Sequence, residues 1–252
     1  MTASDYLSPA PPRVLAHRGL ALDAPENTLL AFLHALSIGV THLETDVHGS
    51  SDGVAIISHD PDLKRLTGRD EKVGDLTAAE LRAIDLGHGQ NFCTLAEALD
   101  AFPDAKFNID VKDQAAVGPT IEAIRNAGAT SRVLIGSFGT SRRRATVKGL
   151  PGVATSISMV PGFFAVLVAK LGIIPLLRWM VRGVDAVQLP SRQFGIRITT
   201  AHAIRSFHAC RIEVHAWTIN DPDEMRELLD AGIDGLVSDR SDLALELLRA
   251  RA

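Results

Sequence analysis

Short apolar runs rich in β-branched residues alternate with helix-period segments along the whole chain. Val14–His17, His42–Val47, Phe107–Val111, Val133–Phe138, Ala154–Met159, Ala186–Leu189, Glu213–Thr218 and Gly235–Ser238 read as eight parallel strands. The segments between them carry helix-start signals. Thr77 with Glu80 and Thr94 with Glu97 form capping-box patterns, and Asp221-Pro222 offers an N-cap followed by a first-turn proline. Pro222–Ala231 then sets Met225, Leu228 and Leu229 on one helical face. Alternation of this kind, repeated about eight times, predicts an α/β fold of the closed (β/α)8 TIM-barrel type rather than an open doubly wound sheet. A chain of 252 residues suits one such barrel, which typically runs to about 250. The reading is one domain over 13–252 behind a flexible N-terminal segment, 1–12, with no composition break or internal repeat.

Two stretches depart from strict alternation. Only a few residues around Ser51-Asp52-Gly53 separate His42–Val47 from a further apolar run, Val54–Ser58. A parallel return needs a crossover of a dozen or more residues, so this pair is expected to be an antiparallel hairpin after the second strand. A two-residue turn at Asp52-Gly53 sets His59 opposite Asp46, and a turn one residue earlier sets it opposite Glu44. Either register brings an imidazole to the face shared by both acids. The second departure is Met159–Val184, an apolar insertion centred near 160–182 and interrupted by Lys170, Pro175 and Arg178. Three readings stay open for it: packing against the barrel or a second subunit in a homo-oligomer, a helical flap making peripheral contact with a bilayer, or a membrane span.

Bulk chemistry narrows the class. Hydrophobic residues make up 46% and charged residues 22%, ordinary for a globular core that needs no disulfides. A formal charge of −4 argues against a nucleic-acid partner. Cys93 and Cys210 stand far apart in no metal-like spacing, compatible with a reducing compartment. The polar, Pro-rich Met1–Pro12 does not read as a signal peptide. The expected location is the cytoplasm, with peripheral attachment at the inner face of the membrane through 160–182 as its extension.

Barrel chemistry gathers at the carboxyl ends of the strands. There the chain carries His17-Arg18-Gly19, Glu44-Thr45-Asp46, His59-Asp60 and Asp110-Val111-Lys112. Carboxylates two apart on a strand share a face and suit a hard divalent cation. Arg18 and Lys112 complement an anion. Two imidazoles, titrating near neutrality, can take a proton from a nucleophile and give one to a leaving alkoxide. That inventory fits phosphoryl chemistry. Taken singly each piece is ordinary; their joint occurrence in order carries the reading. Among the other histidines, only His215, alternating with Trp217, is kept as a pocket candidate.

The runs Ala16-His17-Arg18-Gly19, Pro25-Glu26-Asn27-Thr28, Glu44-Thr45-Asp46-Val47, Asp52-Gly53 and His59-Asp60-Pro61 resemble the signature of the glycerophosphodiester phosphodiesterases. The similarity extends through Leu66-Thr67-Gly68, Asp110-Val111-Lys112, Trp217-Thr218-Ile219-Asn220 and Asp234-Gly235-Leu236-Val237-Ser238-Asp239. The resemblance implies His17 and His59 as general base and acid, and Arg18 and Lys112 as phosphate holders. It implies Glu44, Asp46 and Asp110 as ligands of one divalent cation, Mg2+ or Ca2+, and Trp217 in the pocket wall. The family usually has glutamate where this chain has Asp110, so the shorter side chain implies ligation through water or a cation drawn toward that strand. The implied reaction converts sn-glycerol-3-phosphodiesters to an alcohol and glycerol 3-phosphate. The Asp-x-Lys pair also resembles the sphingomyelinase D branch. A lipid phosphodiesterase of lysophospholipase D or sphingomyelinase D type, acting on a substrate such as a lysophospholipid, is therefore one rival. A non-catalytic module holding a phospholipid headgroup is another. A zinc amidohydrolase on the same barrel would want an H-x-H pair, which the chain lacks.

Overall fold

The computed structural model describes residues 5–193 and 196–251. Eight parallel strands form its centre: β1 (Arg13–His17), β2 (His42–Gly49), β3 (Lys106–Val111), β4 (Val133–Gly136), β5 (Ala154–Thr155), β6 (Ala186–Pro190), β7 (Glu213–Trp217) and β8 (Gly235–Ser238). Their spatial order follows the sequence, β1 lying between β2 and β8. The seam between β5 and β6 is joined by a parallel bridge from Ser156 to Ala186, with Ile157 N donating to Ala186 O at 3.0 Å. Helices surround the sheet, so this is the (β/α)8 barrel expected from the alternation.

The strand period sorts residues into two environments. Val14 and Ala16, Leu43 and Val47, and Phe107, Ile109 and Val111 join the core between strands and helices. Their neighbours in sequence, His17, Glu44, Asp46, Asn108 and Asp110, line a cavity inside the barrel instead. At the amino-terminal end the interior is closed by polar pairing: Arg13 and Glu213 form an ion pair, and His215 lies 3.2 Å from Glu213. Of the leading segment expected to be flexible, residues 1–4 lie outside the described residues. Asp5–Leu7 form a 3-10 turn whose Tyr6 is fully buried against His42, edge to face with ring centroids 5.0 Å apart.

The helix-start signals act as their chemistry suggests. Thr77 with Glu80 and Thr94 with Glu97 make reciprocal capping boxes, and Asp221 caps the helix Pro222–Asp230. The hairpin after β2 is present, but neither expected register is. Its loop holds three residues, Ser51–Gly53, with Gly53 N donating to Ser50 O and Gly53 at φ 78°, the turn-plus-left-handed-residue solution for a three-residue connection. Val47 therefore pairs with Ile57, and Ser58 stands opposite Asp46, donating its N–H to Asp46 O at 3.0 Å. His59 lies beyond the end of the return strand Ala55–Ile57. The chain that follows folds over a small separate core of Ile56, Leu63, Val73, Leu81, Ile84 and Phe92.

β5 is shorter than the expected Ala154–Met159, because the chain turns at Ser158 into a helix over Met159–Lys170. A second helix, Ile174–Met180, carries Pro175 in its first turn. The apolar insertion is thus two short helices, and among the described residues no helix is long and apolar enough to cross a membrane.

Candidate active site

The eight residues to which the resemblance gives roles, His17, Arg18, Glu44, Asp46, His59, Asp110, Lys112 and Trp217, line one cavity of about 730 Å3 at the carboxyl ends of the strands. That size is within the roughly 300–1,000 Å3 usual for small-molecule sites. The β1–β2–β3 register explains the convergence. His17 pairs with Glu44, Glu44 with Asn108, and Asp46 with Asp110, so one rung of the barrel is built from imidazole, carboxylate and amide.

Left-handed backbone at Arg18, Gly19 and Asn27 braces these residues. Arg18 and Gly19 follow β1 with φ of 54° and 86°, turning the chain so that Arg18 N donates to a Glu44 carboxylate oxygen at 3.1 Å. At Gly19 an added Cβ would come within 2.7 Å of the Ala31 carbonyl carbon, so both the positive φ and the close approach require glycine. Asn27, also in the left-handed region, donates Nδ2–H to Asp46 at 3.3 Å and accepts from Thr45 Oγ1 at 2.8 Å.

Each of the two cavity imidazoles has a carboxylate on its Nδ1. His17 Nδ1 is 2.6 Å from Asp239 Oδ1, and Asn220 Nδ2 donates to the other Asp239 oxygen at 2.7 Å. His59 Nδ1 is 2.7 Å from Asp60 Oδ1. A carboxylate at Nδ1 keeps the proton there, so a neutral ring turns an unprotonated Nε2 away from it. Arg65 extends the support, reaching Asp60 and, at 2.6 Å, Glu26, which in turn accepts from Arg18 at 3.0 Å. A chain of alternating charge therefore ties the His59 loop to Arg18. His48 holds the same loop from behind, with Nδ1 2.8 Å from Asp113 and Nε2 3.2 Å from the His59 carbonyl oxygen.

The acids are strained electrostatically. Burial first, and the Asp46 charge second, push the Glu44 carboxyl up to about 7. Burial also raises Asp110, against the pull of Lys112. Burial would lower Lys112, but Asp46 and Asp110 at 2.8 and 3.0 Å outweigh it and raise the ammonium's pKa. For His17, burial is likewise outweighed, by Glu44 and Asp239, and its pKa is raised.

Among the described residues no three acid, imidazole or thiol side chains converge into a ready-made metal cage; the Lys112 ammonium lies between Asp46 and Asp110. The donor chemistry nevertheless fits a hard divalent cation. Glu44, Asp46 and Asp110 are all oxygen donors, two of them carry the cost of buried charge, and Asp110 Oδ1 and Asn108 Oδ1 are buried without a hydrogen-bond partner.

Trp217 meets Phe138 edge to face at 6.1 Å, and Lys112 lies 5.7 Å from the Phe138 centroid. Phe138, Asn108 and the positioning residues Asp239, Asn220 and Arg65 were not picked out as site residues in the sequence. His215, kept as a pocket candidate, is fully buried below the cavity, bonded to Glu213 and 3.4 Å from Gln188 Nε2, and does not line it.

A closed (β/α)8 barrel with its charged side chains gathered at the carboxyl-end mouth defines a class, the barrel enzymes whose sites are built from strand ends. The family model described as the glycerophosphoryl diester phosphodiesterase family matches residues 17–243, and the chain belongs to that family. A Mycobacterium tuberculosis relative named "Probable glycerophosphodiester phosphodiesterase 2" is 41% identical over 239 residues, covering 94% of this chain and 90% of its own. A mouse lysophospholipase D is 39% identical over 113 residues, 40% of this chain and 36% of its own. Among solved structures, a phosphodiesterase from Oleispira antarctica in complex with the product sn-glycerol-3-phosphate superposes with a TM-score of 0.78 at 24% identity, over 95% of this chain and 97% of that one. The chain is an enzyme of the phosphodiesterase hydrolases, with glycerophosphodiester phosphodiesterase activity.

Proposed function

We propose that the enzyme hydrolyses sn-glycerol-3-phosphodiesters to an alcohol and glycerol 3-phosphate, using His17 and His59 as its acid–base pair and one divalent cation, Mg2+ or Ca2+. The observation that carries this is the pairing of two carboxylate-backed imidazoles with two buried acids, Glu44 and Asp46, and the partly buried Asp110 in one cavity. The glycerol 3-phosphate bound by the Oleispira structure supports the substrate class.

Glu44, Asp46 and Asp110 would hold the cation, with Asn108 Oδ1 as a further oxygen donor. When bound, the cation supplies positive charge to the phosphoryl oxygens as negative charge builds on them. Arg18 and Lys112 add fixed positive charge beside the same oxygens. One imidazole takes the proton of the attacking hydroxyl, whether water or a neighbouring hydroxyl of the substrate, and the other protonates the departing alkoxide. Asp239 and Asp60 hold the Nδ1–H of their rings, which leaves Nε2 free to take a proton on the base and, in the imidazolium, to give one on the acid. General acid–base catalysis of this kind contributes about 10²–10⁴-fold.

The test is product analysis. After chelation, glycerophosphocholine, glycerophosphoethanolamine and glycerophosphoglycerol are incubated with Mg2+ or Ca2+, and glycerol 3-phosphate is measured. Expected is cation-dependent release from at least one substrate, abolished in His17→Ala. Cleavage at the other ester bond, giving glycerol and a phosphorylated alcohol, or full activity in chelator, would contradict the proposal. So would headgroup binding that H17A removes from a parent showing no turnover.

A further inference from the structure

A helix on the outside of a barrel ordinarily buries one stripe and turns a polar face to water. The helix Met159–Lys170 buries Gly162, Ala165, Val166 and Ala169, yet its other side is also apolar, and the shorter helix Ile174–Met180 buries only Leu177. Among the described residues, nine of the twelve exposed large apolar side chains fall between Met159 and Trp179. Phe164, Leu171 and Trp179 are 53%, 72% and 66% exposed and do not line the catalytic cavity. The two helices pack on each other and on the helix Ala201–His208, so these side chains gather in one region of the surface. Single exposed apolar residues are ordinary, but a concentration of them marks a contact.

The surrounding charge selects the partner. From residue 159 to residue 212 the chain carries seven lysine and arginine residues and one acid, although the whole chain holds 26 against 30. The one acid, Asp185, is occupied within the fold, accepting from Thr155 N at 2.9 Å. Among the described residues only Arg197 of the seven cations is ion-paired, to Glu227. Arg178, Arg182 and Arg205 are exposed, the last on the helix against which both insertion helices pack. Two copies meeting through this face would set like charges together with no local acid to pair them. An anionic bilayer instead offers an apolar interior to Phe164, Leu171 and Trp179 and negative headgroups to the arginines. Tryptophan suits the boundary between the two.

We propose that the outer face of these two helices is a docking surface for an anionic lipid bilayer. Phe163 and Leu167 line the cavity and remain 50% and 44% exposed, so the cavity mouth lies at the edge of that surface. Phe164, Leu171 and Trp179 enter the headgroup and acyl boundary, while Arg178, Arg182 and Arg205 meet the headgroups. Docking is independent of the reaction assigned above and is read without turnover, so either can fail alone.

Flotation with vesicles of phosphatidylcholine alone, and of phosphatidylcholine mixed with phosphatidylglycerol, tests the proposal. The parent is expected to float with the mixed vesicles and far less with phosphatidylcholine alone. Raising ionic strength from about 0.1 to 1 M shortens screening from about 10 to 3 Å and should weaken that binding severalfold. Arg182→Ala should lower partition onto mixed vesicles roughly fivefold, the worth of one basic residue at such a surface. Trp179→Glu should lower it more than tenfold, with melting temperature and glycerophosphocholine turnover in solution unchanged. Brominated acyl chains in the vesicles should quench the fluorescence of the parent more than that of Trp179→Phe. A parent that floats with neither vesicle, floats equally with both, or is quenched no more than W179F would overturn the proposal. So would a dimer, seen by sedimentation, that W179E dissociates without altering flotation, since a second copy would then occupy the face.

Discussion

Asp239→Asn isolates what the carboxylate behind His17 contributes. In the parent, Asp239 Oδ1 faces His17 Nδ1 at 2.6 Å while Oδ2 accepts from Asn220 Nδ2 at 2.7 Å. An asparagine can keep an oxygen toward only one of them. If its oxygen faces His17, its NH2 meets the Asn220 NH2, donor against donor. If it turns over, its NH2 meets His17 Nδ1 and forces the proton onto Nε2, the atom turned away from the carboxylate. A hydrogen bond to a charged group is worth about 1.5–3 kcal/mol, which alone translates to roughly 10–150-fold in rate. Holding His17 in the wrong tautomer brings the loss toward the full 10²–10⁴-fold span of acid–base catalysis. The expected result is a kcat for glycerol 3-phosphate release lowered about 10²–10⁴-fold with KM changed only a few-fold. Losing the negative charge also removes support for the His17 imidazolium, so the limb of the pH–rate profile belonging to His17 should move to lower pH. Asp239 is half exposed, and stability should change by no more than about 1 kcal/mol. Activity within threefold of the parent, with an unmoved profile, would refute the positioning role.

Three further outcomes follow from the same geometry. Glu44→Gln should weaken Mg2+ or Ca2+ binding at least tenfold in calorimetric titration; unchanged affinity would remove Glu44 from the ligand set. In chelator, Glu44 holds its proton in the fold up to about 7 but releases it near its ordinary value of 4.5 when unfolded. The unfolded state thus binds fewer protons across that window, and stability should fall as pH rises through it. The raised His17 pKa acts in the same direction above its ordinary value, and E44Q should flatten the slope of melting temperature against pH. Gly19→Ala combines a left-handed backbone with a 2.7 Å overlap against Ala31 and should cost about 2–3 kcal/mol. That lowers Tm by roughly 4–12 °C; a Tm within 1–2 °C of the parent on this scale would show that the turn relaxes more easily than argued.

The barrel was legible because its signal is local. A strand repeats every two residues, so Phe107-Asn108-Ile109-Asp110 announces both its core face and its interior face. The site followed from the same alternation, since residues at neighbouring strand ends must meet once the barrel closes. The hairpin register was not legible, because one additional loop residue, admitted by the left-handed Gly53, moves Ser58 into the place assigned to His59. His59 still reaches the cavity, held by Asp60 and by the His48 contact to its carbonyl. The supporting carboxylates and cations were hidden for a different reason. Asp239 stands 222 residues from His17 and Arg65 stands 39 from Glu26, and no period in the sequence connects partners that meet only across the mouth of the barrel. The insertion posed a third case. Its composition allowed a span, a flap or a packed element, and Ser158, Pro175 and the break at Gly172 decide for two short helices.

The most direct measurement is single-turnover release of glycerol 3-phosphate from glycerophosphocholine by the parent, His17→Asn and His59→Asn under one set of cation and pH conditions. If the two imidazoles act as acid and base on one phosphodiester, each single variant should lose about 10²–10⁴-fold, and the double variant should lose far less than the product of the two. A variant of either histidine that turns over at the parent's rate would contradict the account.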